Sequence, residues 1–280
     1  MAISVLTNVA SMNAQRNLAG TQQALSASIG RLSSGMRINS ASDDAAGLGI
    51  SENLKADIRS MAQAQRNTND GISMSQVAEG AMNEMGGIVS RMRELAVQSA
   101  NQTLGGDERG YIQTEFTQLR NEINRISATT EFNGQKLVDG SASAGLSFQV
   151  GINNTSNDRV SMSITKLTTS TLGSTSLHIA SATLSTATGA RNALAAFDKA
   201  ITQLSSSRAK VGAVQNRLQV TVSNLGVAQE NLSAANSRIR DVDVASETAQ
   251  LTKGQILSQA GLAVLSQANQ VPQSALSLLR

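Results

Sequence analysis

A seven-residue repeat running from Phe197 to Ile239 constrains this chain more than any other feature. Phe197, Leu204, Val211, Leu218, Leu225, Leu232 and Ile239 form one row. Val214, Thr221, Ala228, Ala235, Val242, Ala249, Ile256 and Ala263 form a second. Two rows sustained over so many heptads require a helix that packs along its length on a partner helix. A single proline, Pro272, leaves almost the whole chain free to be helical. Aromatic residues make up 2% and tryptophan is absent, so the apolar residues are mostly Ala, Leu, Ile and Val. Such a composition suits narrow helical seams better than a thick globular core.

The same spacing recurs upstream. Residues 1 to about 34 place Leu18, Leu25 and Leu32 on one row and Gln15, Gln22, Ile29 and Met36 on the next. Glutamines dilute that seam, so the helix is expected to be marginal alone. Gly35 can adopt the left-handed conformation that ends a helix, and Arg31 lies in its last turn, where a cation is favoured. Ser42 or Asp43 is then expected to cap a second helix, with Asp44 complementing its dipole. That helix runs from Asp43 to about Ala100 on Leu54, Ile58 and Met61. It continues on Met74, Ala81, Ile88 and Leu95, flanked by Val77, Met85 and Met92. Gly71, Gly80, Gly86 and Gly87 are expected to soften it. After a break at Leu104 to Asp107, a third helix opened by Asp107 or Glu108 carries Ile112, Phe116, Leu119, Ile123 and Ile126. The last helix is expected to end at Val271-Pro272.

In the middle the period changes to two. Leu146, Phe148, Val150 and Ile152 alternate with small or polar residues, and Val160, Met162 and Ile164 do so after a polar turn at 153–158. This pattern is a β-hairpin with one apolar face. Residues 165–188 are rich in Ser and Thr and read as a surface excursion that faces outward, open to O-linked sugars between Thr155 and Thr188. The fold class is therefore mainly α, elongated, with a small β-hairpin region near 145–165.

The residues of catalysis are missing. There is no cysteine, which excludes disulfides and thiolate metal sites. The one histidine, His178, excludes multi-His metal sites and His-based triads, and reads as a solvated loop residue. Asp43-Asp44 at a helix start is capping chemistry, no Gly-rich phosphate loop follows a strand, and helix-spaced methionines are seam filler. No catalytic residue, cofactor or metal is assigned. The N-terminus lacks the basic and apolar regions of a secretory signal, and no apolar run reaches the ~20 residues of a membrane span. Residues 1–42 and 251–280 hold five cations and no acid. Cations this sparse, with no aromatic platform, exclude a nucleic-acid surface. Two apolar, acid-free ends instead need burial against each other and against copies of themselves.

The hinge and its surroundings carry a more specific signal. Leu32-Ser33-Ser34-Gly35-Met36-Arg37-Ile38-Asn39-Ser40-Ala41-Ser42-Asp43-Asp44-Ala45-Ala46-Gly47-Leu48 is followed by Gln63-Ala64-Gln65-Arg66-Asn67 and Asn69-Asp70-Gly71-Ile72-Ser73. Ile256-Leu257-Ser258-Gln259-Ala260, Ala268-Asn269-Gln270 and Leu276-Ser277-Leu278-Leu279-Arg280 stand at the far end. Together these closely resemble bacterial flagellin, in a short form without large outer domains; Met36 and Gly49 stand where Leu and Ala are expected. The resemblance implies an antiparallel helical bundle formed by the N- and C-terminal segments. Its inner coiled-coil domain comprises 1–42 and 240–280, and an outer helical domain comprises 43–239. It implies self-assembly into an extracellular flagellar filament for motility, with Leu18, Leu25, Ile29, Leu32, Ile256, Ala263, Leu278 and Leu279 as assembly candidates. It further implies export unfolded through the flagellar type III system and secretion, with a flagellar export chaperone, the filament cap and hook-associated proteins as partners. Arg91, Leu95 and Glu115 match the residues by which flagellins are recognised by Toll-like receptor 5, and read as a surface patch. A hook–filament junction protein is the alternative from the same pattern, and an intracellular coiled-coil adaptor is the plainest structural one.

Overall fold

The computed structural model describes residues 7–173 and 177–277, with side chains described as far as Gln270. Five helices dominate: α1 (Val9–Ser34), α2 (Ala45–Ser99), α3 (Gly106–Thr129), α4 (Ala187–Arg240) and α5 (Val244–Ser277). Among the described residues, four short strands stand between α3 and α4: β1 (Glu131–Phe132), β2 (Gln135–Lys136), β3 (Leu146–Gln149) and β4 (Arg159–Met162). The chain divides into two compact units. One comprises the residues through Ile58 with those from Glu230 onward, and the other comprises 59–229. The divisions fall inside α2 and α4 rather than at the connectors between helices.

In the central unit (59–229), α2, α3 and α4 contribute Met82, Met85, Met92, Leu95, Phe116, Ile123, Phe197, Leu204 and Val211 to one core. The rings of Phe116 and Phe197 meet edge to face with centroids 5.8 Å apart, a geometry aromatic quadrupoles favour. The heptad row on α4 behaves as its spacing predicts, with Phe197, Leu204, Val211 and Leu218 fully enclosed. Val77, expected beside the seam of α2, is instead 40% exposed. Met82 and Val89 occupy the seam, because the helix advances about 100° per residue and presents those positions inward.

The expected hairpin is present. β3 and β4 pair antiparallel with Leu146 opposite Met162 and Phe148 opposite Val160. Gly71 is not a soft point of α2: a Cβ there would sit 3.2 Å from both Phe148 and Leu218, so the missing side chain is the seat of the hairpin. A second, smaller hairpin, β1–β2, turns on Asn133 and Gly134, both at positive φ. Asn-Gly is the strongest short turn signal and was legible in the sequence.

The Ser/Thr-rich segment after β4 is not an outward excursion. Leu167, Leu172, Ile179 and Leu184 are buried in the core, and Thr169 is buried with them. The segment follows α3 from its C-terminal to its N-terminal half, held by polar side chains. The Asn124 Oδ1 accepts from the N–H and hydroxyl of Thr169, and the Gln113 Oε1 accepts from the N–H of Leu184 at 2.6 Å. His178 lies in it half-buried rather than solvated.

Candidate functional site

The terminal unit is built around one seam. α1 and α5 face each other through residues spaced alternately by three and four: Ser11, Ala14, Leu18, Thr21, Leu25, Ser28 and Leu32 from α1, and Glu247, Leu251, Gly254, Ser258, Gly261, Leu265 and Ala268 from α5. A Cβ at Gly254 would lie 3.3 Å from the Leu25 Cδ1, and one at Gly261 would lie 3.2 Å from the Leu18 Cδ1. Leucines of one helix thus sit on the glycines of the other, which brings the backbones close.

What the terminal unit encloses is polar. Ser11, Ser28, Ser51 and Glu247 are buried, and Ile38 is the one buried hydrophobic side chain of this unit among the described residues. Glu247 accepts from the Arg31 guanidinium at 2.7 Å. That bond, followed by one from the Ser28 hydroxyl, holds its carboxyl below the usual glutamate range.

What the seam leaves out is apolar. Val9, Met12, Ile29, Val244, Ile256, Leu257, Leu262 and Val264 are about half exposed or more. The row Ala249, Ile256, Ala263, expected to continue the inward row of α4, points outward. α4 stops at Arg240, and Asp243 caps α5 by accepting from the N–H groups of Ala245 and Ser246, which resets the helical phase. A groove of about 830 Å³ between α1 and α5 is lined by Gly20, Thr21, Ala24, Ala27, Gly254 and Leu257, with Arg16 and Lys253.

The two connectors lock to each other. Gly35 ends α1 at φ 70°, in the left-handed region. Its carbonyl accepts from Val242 at 3.1 Å, and the Arg37 N–H donates to the Arg240 carbonyl at 2.6 Å. The Arg37 guanidinium donates to the Ile239 carbonyl, and Arg240 pairs with Glu52. The cap of α2 is Asp44, whose Oδ1 accepts from Gly47 at 2.8 Å, not Ser42 or Asp43. Asp43 closes the turn instead by accepting from the N–H groups of Ser40 and Asn39, and its carboxyl is held low by the former first.

Of the sequence-derived residues, Leu18, Leu25 and Leu32 line the internal seam, whereas Ile29, Ile256 and Ala263 are exposed. Leu278 and Leu279 lie outside the described residues. Arg91 and Glu115 form an exposed pair at 2.9 Å, shared with Glu94 at 3.0 Å. Leu95 is not part of that surface: it is 1% exposed within the core, three residues on from the buried Met92 and so on the inward side of α2. α5 also does not end at Pro272 but runs to Ser277.

Similarity to known proteins covers both units. The model described as the bacterial flagellin N-terminal helical region matches residues 5–143, and that of the C-terminal helical region matches 194–279. The chain is 46% identical over 273 residues to a flagellin of Halalkalibacterium halodurans, covering 98% of each. It is 43% identical over 302 residues to a flagellin of Bacillus subtilis, again covering 98% of each. It is 42% identical over 283 residues to the flagellar filament 33 kDa core protein of Treponema phagedenis, also covering 98% of each. With helices, seam and near full-length similarity in agreement, the chain belongs to the bacterial flagellin family, structural proteins of the flagellar filament and not enzymes.

Proposed function

We propose that this chain polymerises with copies of itself through the uncovered faces of α1 and α5. One observation carries the reading: the terminal unit encloses serines and a glutamate while leaving Ile29, Ile256, Leu257, Leu262 and Val264 in water. Apolar area of that kind is stabilising only when something covers it. The groove of small residues between α1 and α5 suits a further helix. Leu18, Leu25 and Leu32 then hold the seam within a subunit, and Ile29, Ile256 and Ala263 meet neighbours, with Leu278 and Leu279 assigned to the same role. Such contacts are heterologous and do not close, so they propagate into a helical tube. Residues 1–42 and 240–280 act as the inner, assembling domain, and 43–239 as the outer one.

Export unfolded through the flagellar type III system, with a dedicated chaperone and secretion to the cell exterior, accords with a cysteine-free chain whose ends are weakly held alone. Growth under a filament cap, on hook-associated proteins, belongs to the same reading. Near full-length likeness to flagellins favours a filament subunit over a hook–filament junction protein, and filament length during polymerisation separates the two. Recognition by Toll-like receptor 5 is assigned to the exposed Arg91–Glu115 pair without a surface role for Leu95; a folded Glu115→Ala chain that signals as well as the parent removes it.

The test of assembly is truncation. A chain from Asp43 to Ile239 should keep its helical circular dichroism and remain soluble, and should form no filaments by electron microscopy. Filaments grown from that trimmed chain would show that the ends are not the assembling element.

A further inference from the structure

α5 continues through Pro272 to Ser277. A proline has no N–H, so the carbonyl four residues before it, that of Ala268, receives nothing from position 272. The missing donor comes from the other end of the chain: the Asn8 Nδ2 donates to the Ala268 carbonyl at 2.8 Å. The same carboxamide caps α1, its Oδ1 accepting from the Ser11 N–H at 3.1 Å. One amide thus serves both termini, and the two bonds together fix which way it faces.

We propose that Asn8 is a positioning residue for assembly, setting the register of α1 on α5 and coupling the start of one to the continuation of the other past Pro272. The seam by itself is ambiguous. Leu18 sits on Gly261 and Leu25 on Gly254. A slip of one heptad would again place leucines on small residues, with Leu18 on Ala268, Leu25 on Gly261 and Leu32 on Gly254. Regular apolar ladders tolerate such slips, and a single polar partner at one position removes the ambiguity. At the end near the connectors Arg31–Glu247 does this. At the far end it is Asn8, directed at the one helical carbonyl whose intrahelical donor the sequence has deleted. That slipped register would take the carboxamide away from Ala268 and leave its carbonyl without a donor, so only the native alignment satisfies both groups.

This inference rests on the proposed self-assembly, and the test separates the two. Six full-length chains are compared: the parent, Asn8→Ala, Asn8→Asp, Pro272→Ala and the two double variants. Their critical concentrations for polymerisation are measured, together with amide exchange over residues 9–20 and 262–277. Asn8→Ala should raise the critical concentration roughly ten-fold in the Pro272 chain, where cap and bridge are both lost. In the Pro272→Ala chain, whose restored N–H satisfies Ala268 internally, the rise should fall to about two- to five-fold. Asn8→Asp retains the cap but places an acceptor against an acceptor. It should assemble no better than Asn8→Ala with Pro272 present, and close to the parent with Pro272→Ala. Equal costs of Asn8→Ala in both backgrounds, or parent-like assembly of Asn8→Asp beside Pro272, would overturn the coupling. A parent chain that fails to polymerise would count against self-assembly instead, and the coupling is then read from exchange at 9–20 in the same chains.

Discussion

The central unit keeps Phe116, Phe197, Met82, Met85 and Met92 wholly from water, whereas the terminal unit encloses Ser11, Ser28, Ser51 and Glu247 and leaves Ile256, Leu262 and Val264 about half exposed or more. Both are made of long helices with seven-residue spacing, so the period does not distinguish them. The partner residues do. In the central unit large side chains meet large side chains, and each burial stabilises the subunit alone. In the terminal unit leucines meet Gly254 and Gly261, which bring backbones together but contribute no side-chain area. A seam of that kind aligns two helices while contributing little to the subunit alone, and the remaining apolar surface is held for another chain. Periodicity therefore reports that a helix has a partner, and the residue sizes across the seam report whether that partner is sufficient.

The contrast is most exposed to test in the central core. Phe116→Ala removes one ring of the edge-to-face pair and should cost about 3–5 kcal/mol, read as a lower urea midpoint of the monomer. A loss below about 1 kcal/mol would mean that the core is not close-packed. On the terminal unit, Ile256→Ser should leave that midpoint unchanged and raise the critical concentration for polymerisation by roughly ten-fold, the value of one apolar side chain left uncovered. A shifted monomer midpoint with unchanged assembly would reverse the assignment of the two faces.

A smaller effect is expected from acid. The Glu247 carboxyl is depressed by Arg31 and Ser28 in the folded chain, so its contribution is fully present above the ordinary glutamate range. It is lost as pH falls through the lower folded value. Amide exchange over α1 and α5 should accelerate on acidification before α3 is affected, and Glu247→Gln should flatten that dependence. Simultaneous loosening of both units would show that Glu247 is not the sensitive group. The smallest effect belongs to Arg91→Ala. The pair with Glu115 is exposed on both sides and screened by water, so the thermal midpoint should not move measurably.

Much of this architecture is readable from local pattern. The leucine row of α1, the heptads of α4, the left-handed Gly35 and the alternation of β3 and β4 are each properties of a few neighbouring residues, and each appears where its spacing predicts. The misread elements share a cause. Leu167, Leu172, Ile179 and Leu184 follow no period, since each reaches the core from an irregular strand-like path held by Asn124 and Gln113, which are distant in sequence. Pro272 marked a helix end because the donor that replaces its N–H stands at Asn8. The resemblance to receptor-recognised flagellins implies a surface place for Leu95, whereas its own heptad row, Met74, Ala81, Ile88, Leu95, already points it inward.

The helical stretches apart from the far end of α5, the acid-free apolar ends and the absence of catalytic groups were determined by the sequence alone, because spacing, charge and residue chemistry are set along the chain. Tertiary structure alone decided which face of α5 turns inward. The Asp243 cap restarts the helix out of phase with α4, so Gly254 and Gly261 rather than Ile256 and Ala263 meet α1. A rotation of that size follows from the geometry of the connector and its bonds to Gly35 and Arg37. No run of residues within α5 encodes it.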